Sequence, residues 1–307
     1  MRTRALIPAA VLLCGCNLRH RPVAPEPARG PAVDTLFQLD RTRGDSAAAF
    51  GPVEGSLALL APNVAFLRAG VPFVYGRDSV RALFRATKAA PGAPHWEPVA
   101  GAVSYDLRSA YTYGVTARVT APRSEIRFER YIAYWERARG GQWRITAYAE
   151  VDGPTAVGAA VERIDPPDAG RQLSRPVADA VANVRATDSV FSDLADRAGI
   201  AAAFAQNVDN YGAVFGNPAL IVGPPAVLKY FAAQGTESSL SWRPIYASVA
   251  GSLDLAFTIG DYTATSRGTS GAAIQRFGKY LTIWKREPDG SWKFMIDGGN
   301  GTPAKPE

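Results

Sequence analysis

Apolar and polar positions along this chain follow a helical period and then a strand period, and the whole sequence of changes happens twice. The helical pattern starts at Val33, with Leu36 and Phe37 on the same face, and a second short helix is expected over 54–60, after the Gly51-Pro52 break. The run 62–78 reads as a strand, a turn and the start of a third helix. Asp78 is placed to cap that helix, and Val80, Leu83 and Phe84 form its apolar face. A loop over 87–94 leads into four segments of alternating aromatic and polar residues, 95–103, 109–121, 127–137 and 142–151, as a curved antiparallel sheet requires. The pattern restarts with an amphipathic helix over 177–197, its apolar positions including Val181, Val184 and Val190. A short helix over 200–204, a strand and turn over 210–221, and a helix opened by Pro224-Pro225 come next. Strands are then expected over 240–249, 254–265, 274–286 and 291–297.

The second half repeats residues as well as periods. Tyr131-Ile132-Ala133-Tyr134-Trp135, a charged turn and Gln142-Trp143-Arg144-Ile145 return as Tyr280-Leu281-Thr282-Ile283-Trp284, a charged turn and Ser291-Trp292-Lys293-Phe294. Trp96-Glu97-Pro98-Val99 returns as Trp242-Arg243-Pro244-Ile245, and the strand from Leu107 to Gly114 returns from Leu253 to Gly260. All six tryptophans pair off in this way, three per copy, so a duplication is the economical explanation.

The start of the chain has a different character. Arg2 and Arg4 precede an apolar run ending at Leu13, too short for a membrane span and suited to a secretory signal. Leu13-Cys14-Gly15-Cys16 resembles the lipobox of bacterial lipoproteins, which implies lipidation of Cys16; the alternative is a plain signal cut near Gly15 with Cys16 incidental. Asn17 after the cysteine implies, by the same resemblance, an outer-membrane lipoprotein facing the periplasm rather than inner-membrane retention. The expected organisation is a signal over 1–16, a Pro/Arg-rich extended tether over 17–32, domains over 33–154 and 177–302, and a linker over 155–176.

Both cysteines fall in the signal, and His20 and His95 are the only histidines. That disfavours a thiol nucleophile, a Ser-His-Asp triad and a Cys- or His-based metal site, and no metal or cofactor is expected. The formal charge of +6 is spread among acidic residues rather than gathered in a stripe, so no nucleic-acid partner is expected.

Helix-helix-strand-helix followed by a curved sheet resembles the nuclear transport factor 2-like (NTF2-like) cone, and within it the SnoaL-like group and domain family 4440. The resemblance rests on the run 63–78, the Leu-x-x-x-Tyr/Phe-Thr-x-Gly strand and the closing tryptophan hairpin, and covers nearly all of both copies. It implies an α+β chain of two tandem cone-shaped domains, each with about three N-terminal helices on a curved antiparallel sheet that leaves a cavity. It also implies that the two copies could pack on each other as a pseudo-dimer.

The candidate cavity residues are Trp96, Tyr131, Trp242, Tyr280 and Phe294. Along the last strand, simple alternation puts Trp292, Phe294 and Ile296 on the cavity face and Asp297 on the other. Relatives often carry a polar residue at the place of Ile296, where the first copy has Ala147. Asp209, Tyr211 and Asp297 are the weak catalytic candidates, with turn or cap roles the plainer reading of the first two. Gly298-Gly299-Asn300-Gly301 is expected as a frayed tail. With no duplicated carboxylate evident at the cavity positions, the leading expectation is an envelope protein that binds a small hydrophobic ligand or a partner without catalysis. The alternative is an isomerase, dehydratase or cyclase using a buried carboxylate of the second domain, recognisable by a carboxylate in an apolar pocket with a Tyr or Trp nearby.

Overall fold

The computed structural model describes residues 30–87, 95–120, 125–151, 176–216, 219–234, 238–267 and 271–303. The signal, Cys16, most of the tether and nearly all of the linker lie outside the described residues.

The first unit runs α1 (Gly30–Phe50), α2 (Pro52–Leu57), β1 (Leu60–Leu67), β2 (Val74–Tyr75), α3 (Arg77–Ala86), β3 (His95–Val103), β4 (Ser109–Thr120), β5 (Glu125–Arg137) and β6 (Trp143–Val151). The second repeats this order as α4 (Val177–Ala198), α5 (Ile200–Asn207), β7 (Val208–Phe215), β8 (Leu220–Val222), α6 (Pro224–Ala232), β9 (Ser239–Val249), β10 (Leu255–Arg267), β11 (Ala273–Arg286) and β12 (Trp292–Thr302). The sheets are ordered β2-β1-β6-β5-β4-β3 and β8-β7-β12-β11-β10-β9. The fold is α+β with two tandem cones, and each sheet is mixed rather than purely antiparallel. The strand that follows the helix pair returns parallel to the last strand, β1 to β6 and β7 to β12.

Local chemistry explains where the elements depart from expectation. Gly76, not Asp78, is the N-cap of α3, and Asp78 stands in its first turn beside Arg81. Helix α4 turns Val190 to solvent, and its buried stripe is Ala180, Val184, Asp188, Phe191, Ser192 and Ala195. Strand β7 follows α5 without a loop, so Asp209 and Tyr211 lie within the strand rather than in a turn.

Each sheet bends at two bulges, and both are duplicated. The registers slip between Pro98 and Ala100 on β3, and at the matching place beside Pro244 on β9. They slip again between Ile145 and Ala147 on β6, and between Phe294 and Ile296 on β12. The first pair accounts for the glycine that ends the repeated Thr-x-Gly strand. Gly114 and Gly260 face the prolines, and a Cβ at either position would lie 2.1 Å from the carbonyl oxygen of Glu97 or Arg243. Gly260→Ala is therefore expected to lower stability by roughly 1–3 kcal/mol, read as a lower denaturant midpoint with an unchanged slope.

The outer faces of the two sheets share one apolar layer. It contains Tyr111, Ile132, Tyr134, Ala147 and Ala149 from the first sheet and Leu255, Phe257, Leu281, Ile283 and Ile296 from the second. The Tyr134 and Phe257 rings sit 4.7 Å apart within it. Polar contacts close the edges: Tyr105 N donates to Asp254 Oδ2 at 2.8 Å, and buried Lys279 Nζ donates to the carbonyls of Arg68 and Val71 and to Asn300 Oδ1, each at 2.7 Å. Asn300 Nδ2 in turn reaches the carbonyls of Leu67 and Glu150. The glycine-rich 298–301 segment is thus a paired continuation of β12 clasped to the first unit, not a frayed tail.

Candidate functional site

Each cone is lined by one face of its long helix, and that face carries an aspartate where helical spacing calls for an apolar residue. In α1 the buried stripe includes Val33, Leu36, Phe37, Asp40, Arg43 and Ala47. In α4 the matching aspartate is Asp188, fully buried like Asp40. Asp188 Oδ1 accepts from Trp242 Nε1 and Oδ2 from Tyr280 OH, both at 2.8 Å. Asp40 Oδ2 accepts from Tyr131 OH at 2.9 Å. The structure therefore contains a duplicated buried carboxylate that alternation and motif spacing did not reveal. Its signal is a charged residue inside an otherwise apolar helical stripe. Burial raises both carboxyls to about 6, against hydrogen bonds from Thr258, Trp242 and Tyr280 for Asp188, and chiefly against the Arg43 charge for Asp40.

The cones differ in what fills the space beneath this aspartate. In the first cone the Arg43 guanidinium lies 4.1 Å from the Trp96 ring centre and 4.7 Å from that of Tyr148. Trp96 Nε1 donates to Tyr148 OH at 3.0 Å, and Phe66 stacks on Tyr148 at 5.2 Å. Only about 40 Å³ remains open there, room for a water or so. In the second cone the places of Arg43, Phe66 and Tyr148 are taken by Phe191, Val214 and Asp297. The loss of ring volume leaves a cavity of about 450 Å³. Its wall is mainly aromatic, with Phe191, Phe204, Phe231, Trp242, Tyr262 and Tyr280 around it, and Val151 of the first unit closes one side.

Asp297 is the only carboxylate among the described residues that line this cavity. The expectation that it faces outward is corrected by the bulge at Met295. The extra residue resets the alternation, so Met295 and Ile296 both enter the layer between the sheets and Asp297 returns to the inner face with Phe294. The same reset in the first cone sends Ala147 to the intersheet layer and Tyr148 inward. Thr282 Oγ1 donates to Asp297 Oδ1 at 2.5 Å. Burial, reinforced by the nearby Asp188 charge and opposed by Thr282, pushes the Asp297 carboxyl to about 7.

The remaining candidates occupy other places. Phe294 is buried under Phe191 and Phe204, outside the cavity wall. Trp96 and Tyr131 belong to the filled cone, where Trp96 borders the small void and Tyr131 holds Asp40. Asp209 is removed from the cavity and bonds Lys285 Nζ at 2.6 Å, while Tyr211 is half-exposed.

A pH dependence follows from the raised carboxyls. A carboxyl with a folded value above its ordinary 3.8 holds more protons in the folded than in the unfolded chain between those two values, so stability falls as pH rises through that window. For Asp297 the window is about 4 to about 7. Asp297→Asn is expected to melt higher than the parent protein at about pH 8, and the gain should vanish near pH 4. Thermal melts of the two proteins across that range check it.

No known sequence family and no curated protein matches this chain. Solved structures similar to it include a ketosteroid isomerase-like protein from Erwinia carotovora atroseptica (14% identity, TM-score 0.34), covering 42% of this chain and 98% of that one. An NTF2-like superfamily protein from Salmonella enterica serovar Typhimurium (13%, 0.34) covers 42% and 95%. An NTF2-like protein with a cystatin-like fold from Novosphingobium aromaticivorans (20%, 0.32) covers 39% of this chain and 80% of its own. By its own element order, strand order and registers, the chain has the fold of two α+β cones in tandem, the architecture that the resemblance to NTF2-like cones implies.

Proposed function

We propose that the second cone is a binding site for a small, mainly apolar molecule and that the first is its closed structural partner. The observation that carries this reading is the contrast between one cavity of about 450 Å³ walled by aromatic rings and a sister cone filled by Arg43, Phe66 and Tyr148. Asp297 is the polar group that orients the ligand. Thr282 occupies one of its oxygens and leaves the other for a donor on the ligand. Native mass spectrometry of the purified full chain, with thermal shifts against a panel of apolar compounds, tests it. A bound small molecule or a raised melting temperature is expected; neither appearing with any compound would overturn it.

A second reading is proton abstraction from a bound substrate by Asp297, in an isomerase, dehydratase or cyclase. A carboxyl near 7 in an apolar pocket favours it. Against it, the protons of Tyr280 OH and Trp242 Nε1 are both committed to Asp188, which leaves neither to stabilise a developing oxyanion. Turnover of any substrate that survives Asp297→Asn would remove this reading.

The same proposal places the protein in the bacterial envelope, exported and held by lipid on Cys16 on the periplasmic side of the outer membrane, with the tandem cones acting as an intramolecular pair. Its support is the charged start, the apolar run and Leu13-Cys14-Gly15-Cys16. Cys16→Ser is expected to move the protein from the membrane fraction to the soluble fraction; continued membrane association would count against lipidation.

A further inference from the structure

The two cones balance their interior charge differently. In the first, the helix aspartate has a cation inside the same cone: Arg43 Nη1 stands 3.8 Å from Asp40 Oδ1, and its guanidinium lies over Trp96 and Tyr148. In the second, the aspartate is kept as Asp188 and the tryptophan as Trp242, but Phe191 stands in place of the arginine. A further carboxylate, Asp297, replaces Tyr148. Among the described residues no lysine or arginine lines that cavity. The second cone therefore has one carboxylate, Asp297, on its open space and a second, Asp188, held behind the wall by Trp242 and Tyr280, with aromatic faces and, among the described lining residues, no cation. Uncompensated carboxylates in an apolar site are costly, and aromatic faces attract cations.

We propose that the ligand of the second cone is an organic cation: an ammonium on an apolar body, with Asp297 as its counter-ion and the surrounding rings as its walls. This rests on the reading of the second cone as a binding site and adds the charge of what it binds. The ammonium supplies from outside the charge that Arg43 supplies from within the first cone. Bound there, it lowers the proton affinity of Asp297, so uptake above about pH 7 is favoured over uptake below it.

Three probes of one shape test the proposal: biphenylmethylamine, biphenylmethanol and biphenylcarboxylate, titrated calorimetrically into the purified full chain at about pH 8. The amine is expected to bind about tenfold or more tighter than the alcohol, and the carboxylate weakest of all. Asp297→Asn should erase the preference for amine over alcohol while still binding the alcohol, which shows that the cavity has kept its form. Asp209→Asn, a change outside the cavity, should leave the preference intact. An alcohol that binds as tightly as the amine overturns the charge assignment and leaves the binding site standing. No binding by any probe overturns both. A preference that survives Asp297→Asn, or is lost equally in Asp209→Asn, assigns it to general surface charge and overturns the proposal.

Discussion

Asp188→Ala is expected to destabilise the protein by about 3–5 kcal/mol, more than most single changes in the second cone. The alanine leaves Trp242 Nε1 and Tyr280 OH buried without their acceptor, and Thr258 without its acid partner. Each stranded donor costs roughly 1–3 kcal/mol, and the vacated space adds to that. Asp188→Asn is expected to cost less, because its carbonyl still accepts one of the two bonds. Chemical denaturation of both variants checks the order. Equal stability of Asp188→Ala and the parent protein would mean that the aspartate does not organise the cone. The comparison with Asp40→Ala is informative. There the change also strands the Arg43 charge beside Trp96, and an unpaired buried charge is among the costliest defects, at roughly 3–5 kcal/mol.

The second large effect is expected in the layer between the sheets. Phe257→Ala removes a buried ring that meets Tyr134 at 4.7 Å and Tyr246 at 5.8 Å, and should cost about 3–5 kcal/mol. Its more specific consequence concerns cooperativity. The two units share this apolar layer and the Lys279–Asn300 clasp, so the parent protein is expected to unfold in one transition. Phe257→Ala weakens the joint and should separate that transition into two, visible when tryptophan fluorescence and far-ultraviolet circular dichroism no longer coincide. Coincident transitions in the variant would mean that the layer contributes little to coupling.

The frame was legible because its determinants are local. Tryptophans, strand alternation and the glycine of the Thr-x-Gly strand recur in both copies, and the close approach at Gly114 and Gly260 gives that glycine a steric reason. The site was less legible, for two physical reasons. Asp40 and Asp188 lie on helix faces where an apolar residue is expected, and their partners, Tyr131 and Tyr280, come from strands about ninety residues away. Simple alternation puts Asp297 on the wrong face because it holds only while the register does, and the bulge at Met295 breaks the register two residues earlier. The consecutive apolar pair Met295-Ile296 is the trace the bulge leaves in the sequence, and it marks both residues as facing the same apolar layer.

The contrast between the cones can be measured directly by pressurising crystals of the protein with xenon, which enters apolar cavities and takes no account of charge. Xenon should occupy the second cone among Phe204, Phe231, Trp242 and Tyr280, and should be absent from the space between Arg43, Trp96 and Tyr148 in the first. A second cone without xenon, or equal occupancy of both, would contradict the assignment of one open and one closed cone.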